Sequence, residues 1–461
     1  MRTGTPNFRQ QVSTGVESWL ESDLERRSFH FFLTHAGLRL GGYFQTPFWT
    51  REVMQAAIYY PSIRHLVVAL GSAYEHFESG QTDRSQMEFA LQQSNQSIRH
   101  LTQRPSSSLT KQSIESSSTL VTASLLFTIL SSMQGHMAEA MDHVRSGLRV
   151  LQNLEYEQWA SDDSSSTSST RSHRSQSPGT TYPVPIARLR SLLTSLYLQC
   201  RVMVNDEDTS GWRRDPLITD LDFPTSFSSL NDAQDHVESL FGNQLTFFQQ
   251  TALQYPLTDE EIATAQAHQD TLVYALDCSR SALDSFVSRR PANSSAEDEA
   301  CIKVLRLYHL YLGIRLGVGV LQEDTRELAF DDFEPQFEQM LHLCRDLLDT
   351  GEILQPSCSS GLGVVIPLHM IGHRCRNATI RTEAVELLLK ASRREGLWDS
   401  SVIGRIAATS SRLEQDEEMM RQWRVREVKT HFMSDRKARL VFITGDSNAS
   451  NQRRYYREID W

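Results

Sequence analysis

The chain has 461 residues, with 46 basic against 57 acidic side chains and a formal net charge of −11. This charge argues against a surface that binds nucleic acid by neutralising phosphates. Its 39% hydrophobic content and mean hydropathy of −0.40 suit a protein that buries a sizeable core. No run of about 18 consecutive apolar residues occurs, and Met1–Trp19 lacks the apolar stretch of a secretory signal, so neither a transmembrane helix nor secretion is expected.

Residues 1–16 show no pattern and are expected to be a disordered N-terminal segment. Apolar spacing at Trp19, Leu20, Leu24, Phe29, Phe32 and Leu33 predicts a helix over 18–40, broken at Gly41–Gly42. Helices over 48–59 and 61–78 follow, with Pro61 suited to a first helical position. Another, over 85–103, ends at Pro105.

The most informative stretch is Leu120–Leu154. Its first half is almost continuously apolar: Leu120, Val121, Ala123, Leu125, Leu126, Phe127, Ile129, Leu130 and Met133. Beyond Gln134–Gly135, a stripe at Met137, Met141, Val144, Leu148 and Leu151 repeats at helical intervals. Glycine tolerates the angles that end a helix, so the segment predicts a helical hairpin with a buried first arm.

Ser161–Ser177 holds nine serines in seventeen residues and no apolar side chain, and a disordered insertion over 159–184 is expected there. Helices resume over 186–204, then, after the acidic loop Asn205–Asp215, near 230–253, 258–288, 297–322, 333–349, 364–392 and 399–420. The end changes character. Trp423–Phe432 and Ala438–Thr444 are rich in β-branched and aromatic residues around Ser434–Lys437 and predict a small β-hairpin docked on the helices. Residues 446–461 are assigned to a tail. The fold class is therefore all-α: a large array of packed antiparallel helical hairpins with a small C-terminal β-hairpin, a helical part over 17–158 and a second part of the same domain over 185–445.

Candidate chemistry is sparse. Cys200, Cys278, Cys301, Cys344, Cys358 and Cys375 are scattered without a CxxC pair, as expected of buried, reduced thiols. His369 and His373 share a helical face near Cys375 and Cys358, but the HExxH glutamate and a third ligand are absent, so buried side chains are preferred to a metal site. Gly313, Gly317 and Gly319, and likewise Gly361 and Gly363, match no phosphate-loop pattern and are assigned to close packing. Arg289–Arg290, Arg393–Arg394 and Arg453–Arg454 are expected as surface charge, and Phe31, Phe44, Phe48 and Trp49 as core rather than pocket. No catalytic, cofactor-binding or metal residue is assigned, no cofactor is expected, and an enzyme is not the preferred reading.

Four blocks occur in an order that resembles the fungal-specific regulatory domain found C-terminal to the binuclear zinc-cluster (six-cysteine) DNA-binding domain of fungal transcription factors. The first is Phe48–Trp49 with Pro61–His65 and Ala69–Gly71. The second is the hairpin ending in Ser146–Gly147–Leu148–Arg149–Val150–Leu151. The third is Asp222–Phe227 with Ala233, and the last combines Pro367–Leu368, Cys375–Arg376, Ile380–Arg381, Ala384, Leu387–Leu388, Glu395–Gly396 and Trp398. The resemblance spans roughly Glu17 to Gly445. It implies a nuclear transcription regulator, with or without a cytoplasmic pool, that acts through other proteins. The chain as given has no cysteine cluster, so no direct sequence-specific DNA binding is expected of it. The implied partner is a DNA-binding zinc-cluster factor, in a homo- or heterodimer. A helical scaffold or small-molecule sensor unconnected with transcription is the alternative.

Overall fold

The computed structural model describes residues 19–44, 46–80, 84–103, 111–163, 182–203, 221–253, 257–290, 295–319, 326–349, 357–415, 424–434, 436–444 and 453–461. The expectations for residues 1–16, for the bulk of the serine tract and for the loop 205–215 fall outside them. The chain groups into two compact units. One comprises residues up to Leu193 without Gly42–Phe44; the other comprises Gly42–Phe44 and Thr194–Trp461.

In the first unit the pattern over 18–40 becomes α1 (Asp23–Phe31), a π-helical turn (Phe32–Ala36) and a last turn Gly37–Leu40. Ser22 and Glu25 form a reciprocal capping box that fixes the start of α1. After a second π-helical turn (Phe48–Glu52) come α2 (Val53–Tyr59), α3 (Pro61–Glu78) and α4 (Arg84–Thr102). Gly71 explains itself here, because a Cβ would lie 2.0 Å from the Ser28 carbonyl oxygen, so only glycine lets α3 approach α1 this closely.

The central hairpin is α5 (Lys111–Gln134) and α6 (Met137–Asp163), joined through Gly135 at φ +87°. Met137, Met141, Val144, Leu148 and Leu151 are all buried, as are the apolar residues of the first arm except Leu120, which is 37% exposed. Each such side chain contributes about 1.5–3 kcal/mol when removed from water. A Cβ on Gly147 would sit 3.0 Å from Ser124 Cβ and 3.2 Å from Leu193, which is the packing reason for glycine in that motif.

The membrane expectation needs correction on one point. Glu115–Gln134 reaches a mean hydropathy of 1.3 and is long and apolar enough to cross a bilayer, although its apolar residues are not consecutive. Thr119, Thr122, Ser124 and Thr128 donate their hydroxyls to carbonyls four residues back, which lowers the polar cost of burying them. Two-thirds of the window (67%) is buried within the fold, where α5 packs along α6 and α3, the environment of a core helix.

The second unit runs through α7 (Ile186–Met203, whose first residues belong to the other unit), α8 (Leu230–Leu253), α9 (Asp259–Ser288), α10 (Ala296–Val318) and α11 (Glu334–Leu348). The single helix expected over 364–392 is two, α12 (Val365–Arg374) and α13 (Ala378–Lys390). The chain extends at Cys375, and Asn377 caps the new start by accepting from the Thr379 and Ile380 amides. A small sheet joins them, with β1 (Ser357–Ser359) parallel to β2 (Arg393–Glu395) and β2 antiparallel to β3 (Trp398–Asp399). Glu395, Gly396 and Trp398, which belong to the last of the four resemblance blocks, lie between the expected helices. They form a hairpin with a two-residue turn, with Gly396 at φ +60°.

After α14 (Ser400–Gln415), the expected hairpin is present as β4 (Val425–Ser434) and β5 (Lys437–Thr444). Arg453–Asp460, within the stretch assigned to a tail, adds a third antiparallel strand, β6, making β5 central. Ala438, Leu440 and Phe442 point into the helical core, where Val428, Tyr455 and Ile459 pack beside them. All-α with a small C-terminal β element describes the molecule, although the β element is a three-stranded sheet rather than a hairpin.

Candidate functional site

His369 and His373 do share a face of α12. Their rings stack at 5.6 Å with 12° between planes, and His373 Nδ1 lies 3.0 Å from the buried Ser410 hydroxyl. The cysteines do not join them. Cys358 is buried in β1, where burial pushes its thiol up to about 12, and Cys375 opens onto a separate cavity of about 220 Å³. Burial, then the neighbouring Arg374, pushes His369 down to about 4, and the same causes push His373 further. Among the described residues no three His, Cys, Asp or Glu side chains converge as metal ligands.

The other singled-out residues have structural roles. A Cβ on Gly317 would lie 2.4 Å from the Phe333 ring, and one on Gly313 the same distance from the Arg280 guanidinium. Gly319 ends α10 with φ +70°. Gly363 is different, because a Cβ there would meet the Glu395 carboxylate at 2.1 Å. That carboxylate accepts from the Val364 and Val365 amides at 3.0 and 2.8 Å, at the start of α12. A protein carboxylate thus occupies the position where a helix N-terminus would receive a phosphate.

The surface reading of Arg393–Arg394 is overturned. The pair lies in β2, where Arg394 is buried against Asp399 at 3.0 Å and Arg393 lies 3.3 Å from Glu395. Arg290 pairs with Asp298, while Arg453 and Arg454 are exposed on β6. Phe48 and Trp49 are fully buried in edge-to-face contact at 4.7 Å; Phe44 is buried in the second unit, and Phe31 packs half-buried on His35.

What the sequence does not show is a cavity of about 330 Å³ inside the second unit. Each helix presents residues three or four apart to it: Leu245, Phe248 and Gln249 from α8, Tyr311 and Arg315 from α10, and Ile366, His369, Met370, His373 and Arg374 from α12. Arg201, Val202 and Met203 of α7, Phe330, Trp398 of β3, Ile403 and Ile406 of α14, and Arg426, Glu427, Val428 and Thr430 of β4 complete the wall. Four arginines and one carboxylate, Glu427, therefore line the cavity among aromatic side chains.

Two arginines are held by neutral groups. Arg201 donates to Thr246 Oγ1 at 3.1 Å and to Gln249, and Arg374 donates to the Val425 and Arg426 carbonyls at 3.4 and 3.0 Å. Arg315 lies over the Phe248 ring at 4.9 Å and the Tyr311 ring at 6.0 Å, with no acidic partner among the described residues. Its buried Nε has no hydrogen-bond partner there, and the same holds for His369 Nδ1 and Trp398 Nε1. Leaving a buried polar group unpaired costs about 1–3 kcal/mol, so three around one cavity are a concentrated expense.

Two Ser–His pairs resemble nucleophile–base pairs in distance only. Ser279 Oγ and His309 Nε2 are 2.9 Å apart, both buried, and burial pushes His309 down to about 3. In the other pair Ser410 is equally enclosed, at 1% exposure. A nucleophile must reach its substrate, and these hydroxyls are sealed.

The described architecture is thus a helical protein with a charged cavity that is partly open to solvent. No family model matches the sequence, and no solved structure matches it. A curated protein of Emericella nidulans, the aspercryptin biosynthesis cluster-specific transcription regulator atnN, is 22% identical over 499 residues, spanning 87% of this chain and 75% of that protein.

Proposed function

We propose that the protein is a nuclear transcription regulator whose helical body works through protein partners rather than through chemistry or direct DNA contact. The observation that carries this is the match to a transcription regulator along 87% of the chain, at 22% identity. The ordered motif blocks support it, and so does their packing logic: Gly71 and Gly147 are both glycines that neighbouring helices require. The finer reading, a regulatory domain of the zinc-cluster type with its DNA reader supplied by a partner, rests on those blocks. It is consistent with six cysteines that stand apart, five of them buried, in a chain of net charge −11.

Fusion of the chain to an unrelated DNA-binding domain tests the reading. A reporter carrying that domain's site should change its output, a tagged chain should accumulate in nuclei, and purified protein alone should leave promoter fragments unshifted at about 0.1 M salt. A silent reporter with a purely cytoplasmic chain would sink the proposal. The cavity favours the second reading, a ligand-sensing helical protein outside transcription.

A further inference from the structure

We propose that the cavity of the second unit binds a small organic anion, with its carboxylate or phosphate group paired to Arg315 and its flat apolar body against Phe248, Tyr311, Trp398 and Ile403. This goes beyond the transcriptional reading and does not depend on it. A guanidinium covered on its face by aromatic rings still offers N–H groups at its edge, the geometry that grips planar anions. Arg315 is such a group, and it has no acidic partner among the described residues.

The second observation is independent of charge. Arg315 Nε, His369 Nδ1 and Trp398 Nε1 come from three different elements whose residues line this cavity, and all three are buried without a partner among the described residues. Arg315 Nε and Trp398 Nε1 can only donate, and His369 Nδ1 donates when it carries the ring proton, so an acceptor such as an oxyanion complements them; a cation does not. The volume of about 330 Å³ lies at the lower end for small-molecule sites and suits a metabolite rather than a peptide. Metal occupancy is disfavoured by the arginines and by the stacked, not convergent, imidazoles. Because β4 forms one wall and helices with β3 form others, a bound anion would tie the C-terminal sheet to the helical core, so occupancy should be readable as stability.

Calorimetry and thermal melting of the full chain test this with four probes: 2-naphthoate, 2-naphthyl phosphate, the neutral 2-naphthamide and inorganic phosphate. At least one naphthyl anion should bind below about 1 mM and raise the melting temperature, with the amide and inorganic phosphate each about tenfold weaker or more. Whichever naphthyl anion binds tighter identifies the acidic group. Arg315→Gln should weaken the anion about tenfold and leave the amide unchanged, whereas Arg306→Gln on the exposed side of α10 should do nothing. If Arg315→Gln does not fold, Trp398→Phe, which removes one unpartnered nitrogen, should weaken the anion severalfold. Equal binding of naphthoate and naphthamide, no binding of either anion, or unchanged anion affinity in the folded variants would overturn the proposal.

Discussion

The α5–α6 hairpin and the walls of the cavity solve burial in opposite ways. In the hairpin almost every inward side chain is apolar, and four hydroxyls of α5 return to their own helix's carbonyls, with the Ser118 hydroxyl the one on α5 buried without a partner among the described residues. Around the cavity, arginines, histidines and a tryptophan nitrogen are wholly or partly buried, and they come from elements far apart in sequence. The contrast teaches where stability and where function are concentrated. A dry, periodic region gains little by being a site, whereas buried polar groups that are only partly satisfied mark a place shaped by something besides folding.

Glu395→Ala should break the second region most. It strips the acceptors from two buried amides and removes the carboxylate beside Arg393, and loss of one partner from a buried charged arrangement costs about 3–5 kcal/mol. Urea denaturation should show this loss; a change below about 1 kcal/mol would mean that the Glu395 contacts are not maintained in solution.

Leu151→Ala is the matching test of the dry region. Leu151 is fully buried on the α6 stripe, and its truncation should cost about 2–4 kcal/mol by lost transfer energy and a cavity. A variant that melts like the parent would remove the hairpin from the core.

Acid should act on the wall of the cavity. His369 is held down to about 4 against an ordinary 6.5, so the folded state binds fewer protons than the unfolded one between those values. Its contribution is complete above pH 6.5 and is lost as pH falls towards 4, with about 2 kcal/mol gone by pH 5. Glu238, whose burial raises it to about 7, acts in the opposite sense: its contribution is present below 4.5 and is lost as pH rises through 7. Comparing His369→Gln with the parent isolates the histidine, and the variant should lose less stability between pH 7 and 5. An unchanged slope would show that its surroundings do not hold His369 neutral.

The smallest effect belongs to Tyr182→Phe in the first unit. The Tyr182 hydroxyl donates to Thr122 Oγ1 at 2.8 Å, and Thr122 itself still bonds to the Ser118 carbonyl without it. A loss of about 1 kcal/mol is expected. A loss above about 3 kcal/mol would show that even the dry hairpin depends on a polar tether.

Much of the helical framework was legible because helix periodicity is local. The expected spans 61–78, 85–103, 186–204 and 230–253 agree with α3, α4, α7 and α8 to within a residue or so at each end. The failures share one physical cause. Arg393–Glu395 and Trp398–Asp399 have no strand period of their own; β2 forms because β1, some 35 residues earlier in the chain by numbering (357 against 393), lies alongside, and β3 folds back on β2 through the Gly396–Leu397 turn. Tyr455, Tyr456 and Ile459 carry the composition of a strand within a charged stretch, and only the edge of β5 turns that stretch into β6. The aromatic candidates Phe48 and Trp49 went into the core, while the ring surfaces that do meet charge, Phe248 and Tyr311, drew no notice because helical spacing marks both kinds alike.

The sequence by itself determined the class of fold and the places where helices meet closely. Apolar spacing and glycine tolerance act over one or two turns, as at Met137–Leu151 and Gly147. Tertiary structure alone decided that a carboxylate from β2 would cap α12, and that Arg201, Arg315, Arg374 and Arg426 from four elements would surround one cavity. A charge acquires its meaning from what lies within a few ångströms of it, and those neighbours are assembled by the packing of the whole unit rather than by the residues beside it in the chain.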